Sequence, residues 1–217
     1  MNHSKTKEIY ILMKKSITDG IFKPGMQLKE DYFSTLYDVS RTTVRKALKL
    51  LEADGFVESI YNKGSYVTKS SIKDIYSAYR LRVQLEEILS PEIIDNATSE
   101  VIETLENCIA LEKEFFKTKD ILGYIENNKK FHIEIARLSN NKYLVEAIEQ
   151  ILKTIDIHLL FYDNYHHIGL QDFHSKREHE EIVKYLKEKK FSQLKRTMIQ
   201  HTKDACKKLE IQKNKTS

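Results

Sequence analysis

The sequence contains no tryptophan, two prolines, six glycines and two cysteines among 217 residues. So little proline and glycine excludes a collagen-like or low-complexity chain and favours helices. Cys108 and Cys206 lie far apart and no CxxC motif occurs, which excludes a zinc knuckle and favours two reduced thiols. No apolar run approaches the roughly 18 residues that span a bilayer, and no secretory signal opens the chain. We therefore expect a cytoplasmic protein without a membrane partner.

An excess of charge of either sign is also missing, because the net charge is only +4. The first 68 residues hold eleven Lys and Arg against eight Asp and Glu, a balance of +3, and the remainder contributes only +1. This asymmetry fits a small DNA-binding head better than a chain coated with RNA. The length suits one large domain or two small ones.

The segment Ser40–Val57, SRTTVRKALKLLEADGFV, predicts a DNA-recognition helix followed by a strand. Ser40 can cap the start of the helix, and Gly55 can end it. Arg41 and Arg45 are four residues apart and share one face. A different face has the spacing i, i+3, i+4, i+7 of a buried helix side, at Val44, Ala47, Leu48 and Leu51. A basic helix start on an apolar backing suits entry into a major groove.

The rest of the first 68 residues predicts two more helices and two strands, at about 7–19, 29–37, 56–60 and 65–68. The first helix is expected to bury Ile9, Leu12, Met13 and Ile17. Turn residues at Tyr61–Gly64 join the strands into a hairpin. These elements make a winged helix-turn-helix domain with a small β-hairpin over residues 1–68.

After a linker at 69–71, the sequence up to 217 predicts only helices. Six helical patterns follow one another, at about 72–96, 99–118, 120–139, 141–162, 173–189 and 192–212. Thr98 or Ser99 and then Asp120 supply N-caps, and Pro91 is expected to kink or interrupt the first helix. The predicted fold class is therefore mainly α, a winged helix-turn-helix followed by an all-α antiparallel helical bundle.

The head resembles the N-terminal domain of the GntR family of bacterial transcription regulators over nearly all of residues 5–68. The similarity rests on the segments GIFKPGMQLKED, VSRTTVRKALKLLEADGFVES and NKGSYV. It implies DNA contacts by Ser40, Arg41, Thr42, Thr43, Arg45, Lys63 and Gly64. Asp31 departs from the family, because several relatives carry a basic residue there, so no contact is carried over to it. Isolated arginines usually form only a solvated face, but the winged-helix context favours DNA contact here.

Four side chains that can bind a metal fall on apolar stripes of three predicted helices, at Asn128, His132, His179 and His201. Buried imidazoles need hydrogen-bond or metal partners. One shared divalent cation would satisfy all three histidines at once. Taken singly, each histidine is more often a core residue satisfied by hydrogen bonds.

The helical part resembles the FCD effector domain of the FadR branch of GntR regulators over most of residues 72–205. The similarity rests on NKKFHIEIARLSNNKYL, REHEEIVKYLKEKKFSQLKRTMIQH and RVQLEEI. Many members bind a metal through an Asp or Asn and three His, which implies Asn128, His132, His179 and His201 as ligands here. Asp is the commoner residue at the position of Asn128, and an amide oxygen is a weaker ligand than a carboxylate. Zinc is expected first, with nickel and manganese as alternatives.

The resemblance also suggests that Arg82 binds a carboxylate of an effector as a bidentate donor. An ion pair with Glu86, four residues on, is an equally weighted alternative. A second group of histidines stands in polar, aromatic surroundings that suggest a surface loop without a role, at His158, His166, His167 and His174.

Together these patterns predict a regulator and not an enzyme. We expect a ligand-responsive repressor that binds palindromic operator DNA as a homodimer, with a divalent metal and a small organic acid effector in its helical domain. Two alternatives stay open. One is a metal-free pocket for an acyl or other apolar effector. The other is a metal-dependent hydrolase with an accessory DNA-binding domain, although no general base stands beside the histidines.

Overall fold

The computed structural model describes three stretches of the chain, residues 2–69, 71–162 and 175–215. They form two compact units. The first unit contains the residues before 72 together with 157–162, and the second contains 72–156 together with the described residues from 175 onward. The predicted limits of the two domains stay a prediction.

The first unit combines three helices with a small antiparallel sheet. In chain order its elements are α1 (Asn2–Thr18), β1 (Gln27–Leu28), α2 (Glu30–Leu36), α3 (Arg41–Ala53), β2 (Val57–Ile60) and β3 (Gly64–Val67). β3 lies in the middle and pairs with both neighbours, so that Gln27 is opposite Tyr66 and Val57 is opposite Val67. The predicted hairpin is confirmed. β1 was not predicted, because two residues are too few to show an alternating pattern.

The recognition helix α3 begins and ends where its sequence predicts. Ser40 is the N-cap, and its Oγ accepts a hydrogen bond from the Thr43 amide at 3.2 Å. At the other end the Gly55 amide donates to the Glu52 carbonyl at 3.0 Å, and Gly55 has a φ of +85°. That left-handed conformation is cheap only for glycine, so the helix stops there. The predicted apolar face is buried, at Val44, Ala47, Leu48 and Leu51.

The buried face of α1 is narrower than predicted. Ile9, Met13 and Ile17 are at most 2% exposed, whereas Leu12 is 42% exposed. The three buried residues are spaced by four and form one line along the helix. Leu12 precedes Met13 by one residue and therefore lies about 100° around the helix from it. The prediction of Leu12 as a core residue is wrong.

The second unit is a bundle of helices. Its elements are α4 (Ile72–Asn96), α5 (Ser99–Thr118), α6 (Ile121–Arg137), α7 (Lys142–Tyr162, of which residues 142–156 belong to this unit), α8 (Ser175–Lys187) and α9 (Phe191–Lys215). α4 packs along α9, and α5 packs against both α6 and α8. The predicted all-α bundle is confirmed, and its packing brings the histidine-bearing helices α6, α8 and α9 together. Within the described stretches, no helix has the length and apolarity to cross a bilayer.

Helix boundaries in this bundle follow the predicted caps. Thr98 and Asp120 cap α5 and α6, each accepting a hydrogen bond from the amide three residues on, at 3.3 and 2.9 Å. α4 is continuous through Pro91, so the predicted interruption is wrong, whereas the alternative of a kink stays a prediction.

Candidate DNA-binding surface and histidine cluster

The recognition helix presents two arginines that are each paired with a carboxylate at the start of α2. Arg45 donates from Nε and Nη2 to the two carboxylate oxygens of Glu30, at 2.8 and 2.7 Å. Arg41 Nε lies 2.6 Å from Asp31 Oδ1. The hydrogen bonds from Arg45 lower the pKa of Glu30. Asp31, the residue that departs from the family pattern, is therefore the partner of a predicted DNA contact.

These ion pairs orient the arginines but leave them in solvent. The side chains of Arg41 and Arg45 are 67% and 58% exposed. Ion pairs with this exposure contribute little to stability, because solvent screens them. A bidentate contact from arginine to guanine is worth about 1–3 kcal/mol of base discrimination. A guanine edge or a phosphate can therefore replace either carboxylate at small cost.

The hydroxyl residues at the start of α3 occupy two kinds of position. Ser40 and Thr42 are exposed, whereas Thr43 is only 5% exposed. The Thr43 hydroxyl lies 2.9 Å from the Ser40 hydroxyl, inside the helix start. Burial favours a capping role for Thr43, and Ser40 and Thr42 are the hydroxyls that solvent reaches.

The backbone at the tip of the wing forms a hydrogen bond with a side chain of β1. Gln27 Nε2 donates to the Lys63 carbonyl at 2.8 Å, and the Tyr66 hydroxyl donates to the same oxygen at 3.2 Å. Asn62 and Gly64 have φ values of +57° and +98°. These bonds fix the tight turn and leave the Lys63 side chain exposed, as a contact to the DNA backbone requires.

Three histidines from three helices meet in the interior of the bundle. They are His132 of α6, His179 of α8 and His201 of α9, and one ring nitrogen of each lies within 4.8 Å of the others. His132 Nε2 and His201 Nε2 are 3.2 Å apart. The Nε2 of His179 is buried and has no hydrogen-bond partner. The structure therefore brings together the three predicted imidazole ligands.

Two of these imidazoles are held on their other nitrogen by carboxylates. His179 Nδ1 lies 2.6 Å from Glu112 Oε1, and both side chains are 0% exposed. His201 Nδ1 lies 2.7 Å from Glu178 Oε2. Phe131 stacks on the His179 ring with the centroids 4.1 Å apart. The rings are thus fixed by hydrogen bonds on one side and by aromatic packing.

The environment favours the neutral form of His132 and His201. Burial, with the positive charge of Arg82 as the next cause, lowers the pKa of His132 well below its usual value. Burial also lowers the pKa of His201 to about 4, although the hydrogen bond that His201 donates to Glu178 acts in the opposite direction. Neutral imidazole is the form that offers a nitrogen lone pair to a metal.

Arg82 lies in the same interior and makes the ion pair that its spacing suggested. Its Nε donates to Glu86 Oε1 at 2.7 Å, and both side chains are 4% exposed. The other oxygen of Glu86 accepts from the Thr202 hydroxyl at 2.6 Å. Arg82 Nη2 is buried and has no hydrogen-bond partner. The predicted ion pair between Arg82 and Glu86 is therefore present. It leaves Nη2 of the guanidinium available for another acceptor.

A second buried carboxyl lies within the electrostatic reach of Arg82. Asp156 of α7 is 5% exposed, and its Oδ2 lies 3.7 Å from Lys129 Nζ without a hydrogen bond. Burial raises the pKa of Asp156 to about 7, although Lys129 and Arg82 act in the opposite direction. Asp156 is thus a polar group of the interior that is only partly satisfied.

Asn128, the fourth predicted ligand, is less buried than the three histidines. Asn128 is half-buried and lies one helical turn before His132 on α6. Its neighbour Asn127 is buried instead and donates from Nδ2 to the Cys108 carbonyl at 2.8 Å. The role of Asn128 as a metal ligand stays a prediction.

Sequence reasoning missed Glu112 and Glu178, although a signal was available for each. Glu112 continues the buried stripe of α5, three residues after Ile109, at a position where packing alone favours an apolar residue. Glu178 directly precedes His179. A buried imidazole needs a partner, and a carboxylate on a facing helix is the expected one.

The second group of histidines gives a correction. His158 was expected in a surface loop, but it lies in α7 and is 4% exposed, and burial lowers its pKa to about 4. The loop prediction is wrong for His158, because the helical pattern of α7 continues past it. His166, His167 and His174 lie outside the described residues.

Known protein families match both parts of the chain. Residues 5–67 match the bacterial regulatory proteins of the gntR family, and residues 77–204, more than half of the chain, match the FCD domain. The chain belongs to the GntR family of transcription regulators and carries an FCD domain. The FadR branch is not distinguished by these matches and stays a prediction.

Individual relatives of this GntR regulator agree with that assignment. The HTH-type transcriptional regulator YdhC of Bacillus subtilis is 29% identical over 94% of this chain and 90% of its own length. The HTH-type transcriptional repressor RspR of Escherichia coli K12 is 23% identical over 91% and 86%. The solved structure of E. coli McbR/YncC has a TM-score of 0.74 at 20% identity and covers 96% of this chain and 98% of its own. At that identity the structural match shows the fold alone.

The family settles the class of protein. GntR regulators and the relatives named above are transcription regulators and not enzymes, so the expectation of a non-enzyme is confirmed. The hydrolase alternative is therefore dropped.

Proposed function

We propose that this GntR regulator is a cytoplasmic, ligand-responsive repressor that binds palindromic operator DNA as a homodimer. Its FCD domain holds a divalent metal through the histidine cluster. Binding of a small organic acid to this domain changes the affinity of the protein for operator DNA. The observation that carries the proposal is the convergence of His132, His179 and His201 in a chain that also carries a winged helix. The relative RspR is named a transcriptional repressor, which supports this sign of regulation.

The DNA part of the proposal rests on exposure and charge. Arg41, Arg45 and Thr42 are exposed on one end of α3, and Lys63 is exposed at the wing tip. A single recognition helix covers only one half-site, which is why we expect a dimer and a palindrome. Contacts to phosphates make the affinity fall as salt rises.

The residues at the centre of the bundle fit a divalent metal. Three imidazole nitrogens suit zinc, nickel and manganese in different degrees, and zinc best. Nitrogen ligands of a tetrahedral zinc lie about 3.3 Å apart, close to the 3.2 Å between His132 and His201. The buried Nε2 of His179 has no protein partner, and a metal would satisfy it. Asn128 would complete the set.

The effector part of the proposal rests on Arg82. A buried donor without an acceptor costs about 1–3 kcal/mol, so Arg82 Nη2 favours a ligand that brings an acceptor. A carboxylate is the acceptor that a guanidinium binds best. When bound, the metal would supply a positive charge for the same anionic ligand. A small organic acid therefore fits this interior better than an apolar effector.

The proposal is tested by selecting binding sites from a random duplex library with the purified protein and reading the selected duplex by fluorescence anisotropy. We expect a palindromic site whose affinity falls steeply between 50 and about 200 mM salt. Arg45→Ala should weaken this binding and broaden the selected sequence, whereas Lys153→Ala, on α7, should change neither. Binding without sequence selectivity would overturn the DNA part.

The metal is tested separately on protein purified without a histidine tag. Dialysis against zinc, nickel or manganese, followed by metal analysis, should give close to one ion per chain in wild type and almost none in His179→Ala. If wild type holds less than about half an ion per chain after dialysis against each of the three metals, the alternative of a metal-free effector pocket is favoured.

A further inference from the structure

Two carboxylates that were not predicted contact the histidine cluster. Glu112 comes from α5 and Glu178 from α8, and each lies against the Nδ1 of a different histidine, at 2.6 and 2.7 Å. Neither carboxylate is among the predicted ligands. The two contacts are alike, because in both the carboxylate meets Nδ1 and leaves Nε2 of the ring without a carboxylate partner.

The carboxylates determine which nitrogen carries the proton. A carboxylate can only accept, so His179 and His201 donate from Nδ1 and keep the Nε2 lone pair. His201 then accepts from His132 in the 3.2 Å contact between their Nε2 atoms. His179 Nε2 is an acceptor without a donor in the buried interior. The protein thus directs two lone pairs to one region.

Packing does not account for Glu112. The residue is 0% exposed, and its Oε2 is buried without a hydrogen-bond partner. Removing a carboxylate from water costs several kcal/mol, and a buried ion pair is often no more stabilising than apolar residues of the same size. An apolar side chain would continue the stripe of Leu105 and Ile109 at lower cost. The position therefore favours a role for the charge itself.

We propose that Glu112 and Glu178 are positioning residues of the metal site, which hold the Nδ1 protons of His179 and His201 and keep both Nε2 lone pairs available for a divalent cation. The inference rests on the proposed metal site and adds residues to it. Carboxylate partners of this kind orient a histidine ligand and raise its basicity, and losing one typically weakens metal binding about 10–100-fold. Their negative charge also offsets the charge of the ion.

The test is the zinc affinity of the full-length apoprotein, measured by competition with a chromogenic chelator. We expect Glu112→Gln and Glu178→Gln each to weaken zinc binding about 10–100-fold. Glutamine is nearly isosteric, but its amide is neutral and can rotate to donate to Nδ1, which would put the proton on Nε2. The matched controls are Glu114→Gln on α5 and Glu181→Gln on α8, whose side chains are 61% and 39% exposed, and both should bind like wild type.

A second readout separates positioning from loss of fold. Cobalt(II) titrated into each apoprotein should give a visible spectrum whose bands are shifted or weakened in Glu112→Gln and Glu178→Gln and unchanged in the controls. If Glu112→Gln does not fold, Glu178→Gln decides, because the Glu178 side chain is 23% exposed and its change disturbs the core less.

The outcomes distinguish the two proposals. If wild type binds none of zinc, nickel and manganese, the proposed metal site fails, and the positioning role fails with it. If wild type binds zinc and the folded Gln variants match its affinity within about twofold and its cobalt spectrum, the positioning role alone is overturned.

Discussion

At the scale of single residues, Asp156 and Arg82 show how burial changes the chemistry of a side chain. Burial raises the pKa of Asp156 to about 7, and Lys129 and Arg82 offset only part of that effect. Arg82 is buried with Glu86, and its guanidinium needs acceptors. Asp156 therefore makes the stability of the fold depend on pH, and Arg82 favours an anionic ligand.

Asp156→Asn should change how stability depends on pH. The folded state holds a proton on Asp156 between about pH 4 and 7 that the unfolded chain has released, so the stability contributed by Asp156 falls as pH rises through this window. The carboxyl faces Lys129, Arg82 and Glu126. Asparagine cannot ionise, so the free energy of unfolding of the variant, relative to wild type, should rise by about 3–5 kcal/mol from pH 4 to pH 8. Urea unfolding at both pH values measures this, and a pH-independent difference would contradict it.

Arg82→Met should destabilise the protein by about 3–5 kcal/mol, because it leaves Glu86 buried without its cation. The double variant Arg82→Met with Glu86→Gln should recover part of this loss, since the remaining group is then neutral and can still accept from Thr202. Denaturant unfolding of the four proteins of this cycle gives the coupling energy. Additive losses within about 0.5 kcal/mol would show that the pair is not coupled.

At the scale of elements, N-cap residues made the starts of several helices predictable from the sequence. Ser40, Thr98 and Asp120 each accept from the amide three residues on, as their sequence positions suggested. The three histidines were visible because each interrupts an apolar stripe. β1 was not visible, since its two residues form a strand only by pairing with β3, which lies far along the chain. The Glu112–His179 contact also joins residues 67 apart, and only the tertiary fold shows it.

The N-cap of α3 links stability to DNA binding. Ser40→Ala should lower the free energy of unfolding by about 1 kcal/mol, because the Thr43 amide loses its acceptor. Ser40→Asp should keep the cap and the stability but weaken binding to the selected duplex, because its charge faces phosphate. Unfolding and anisotropy on the same proteins separate the two effects. Equal DNA affinity in Ser40→Asp and wild type would remove Ser40 from the contact surface.

At the scale of the whole molecule, the sequence predicted a winged helix followed by a helical bundle, because both parts carry dense local patterns. It could not predict the partners of the arginines. Arg41 and Arg45 face Asp31 and Glu30, which stand ten or more residues earlier on another helix. The same holds for the interior that Arg82 and the histidines share, because four helices contribute to it. The local spacing of residues indicates which polar side chains point inward. Their contact partners depend on how the helices pack.

The proposed function requires that an anionic ligand at the metal site controls operator binding. The anisotropy of the selected duplex tests this, with zinc-loaded wild type and His179→Ala titrated against a panel of small carboxylic acids. We expect at least one acid to change the wild-type affinity by about 5-fold to 150-fold and to leave that of His179→Ala unchanged. An equal response in both proteins, or no response of wild type to any acid, would contradict it.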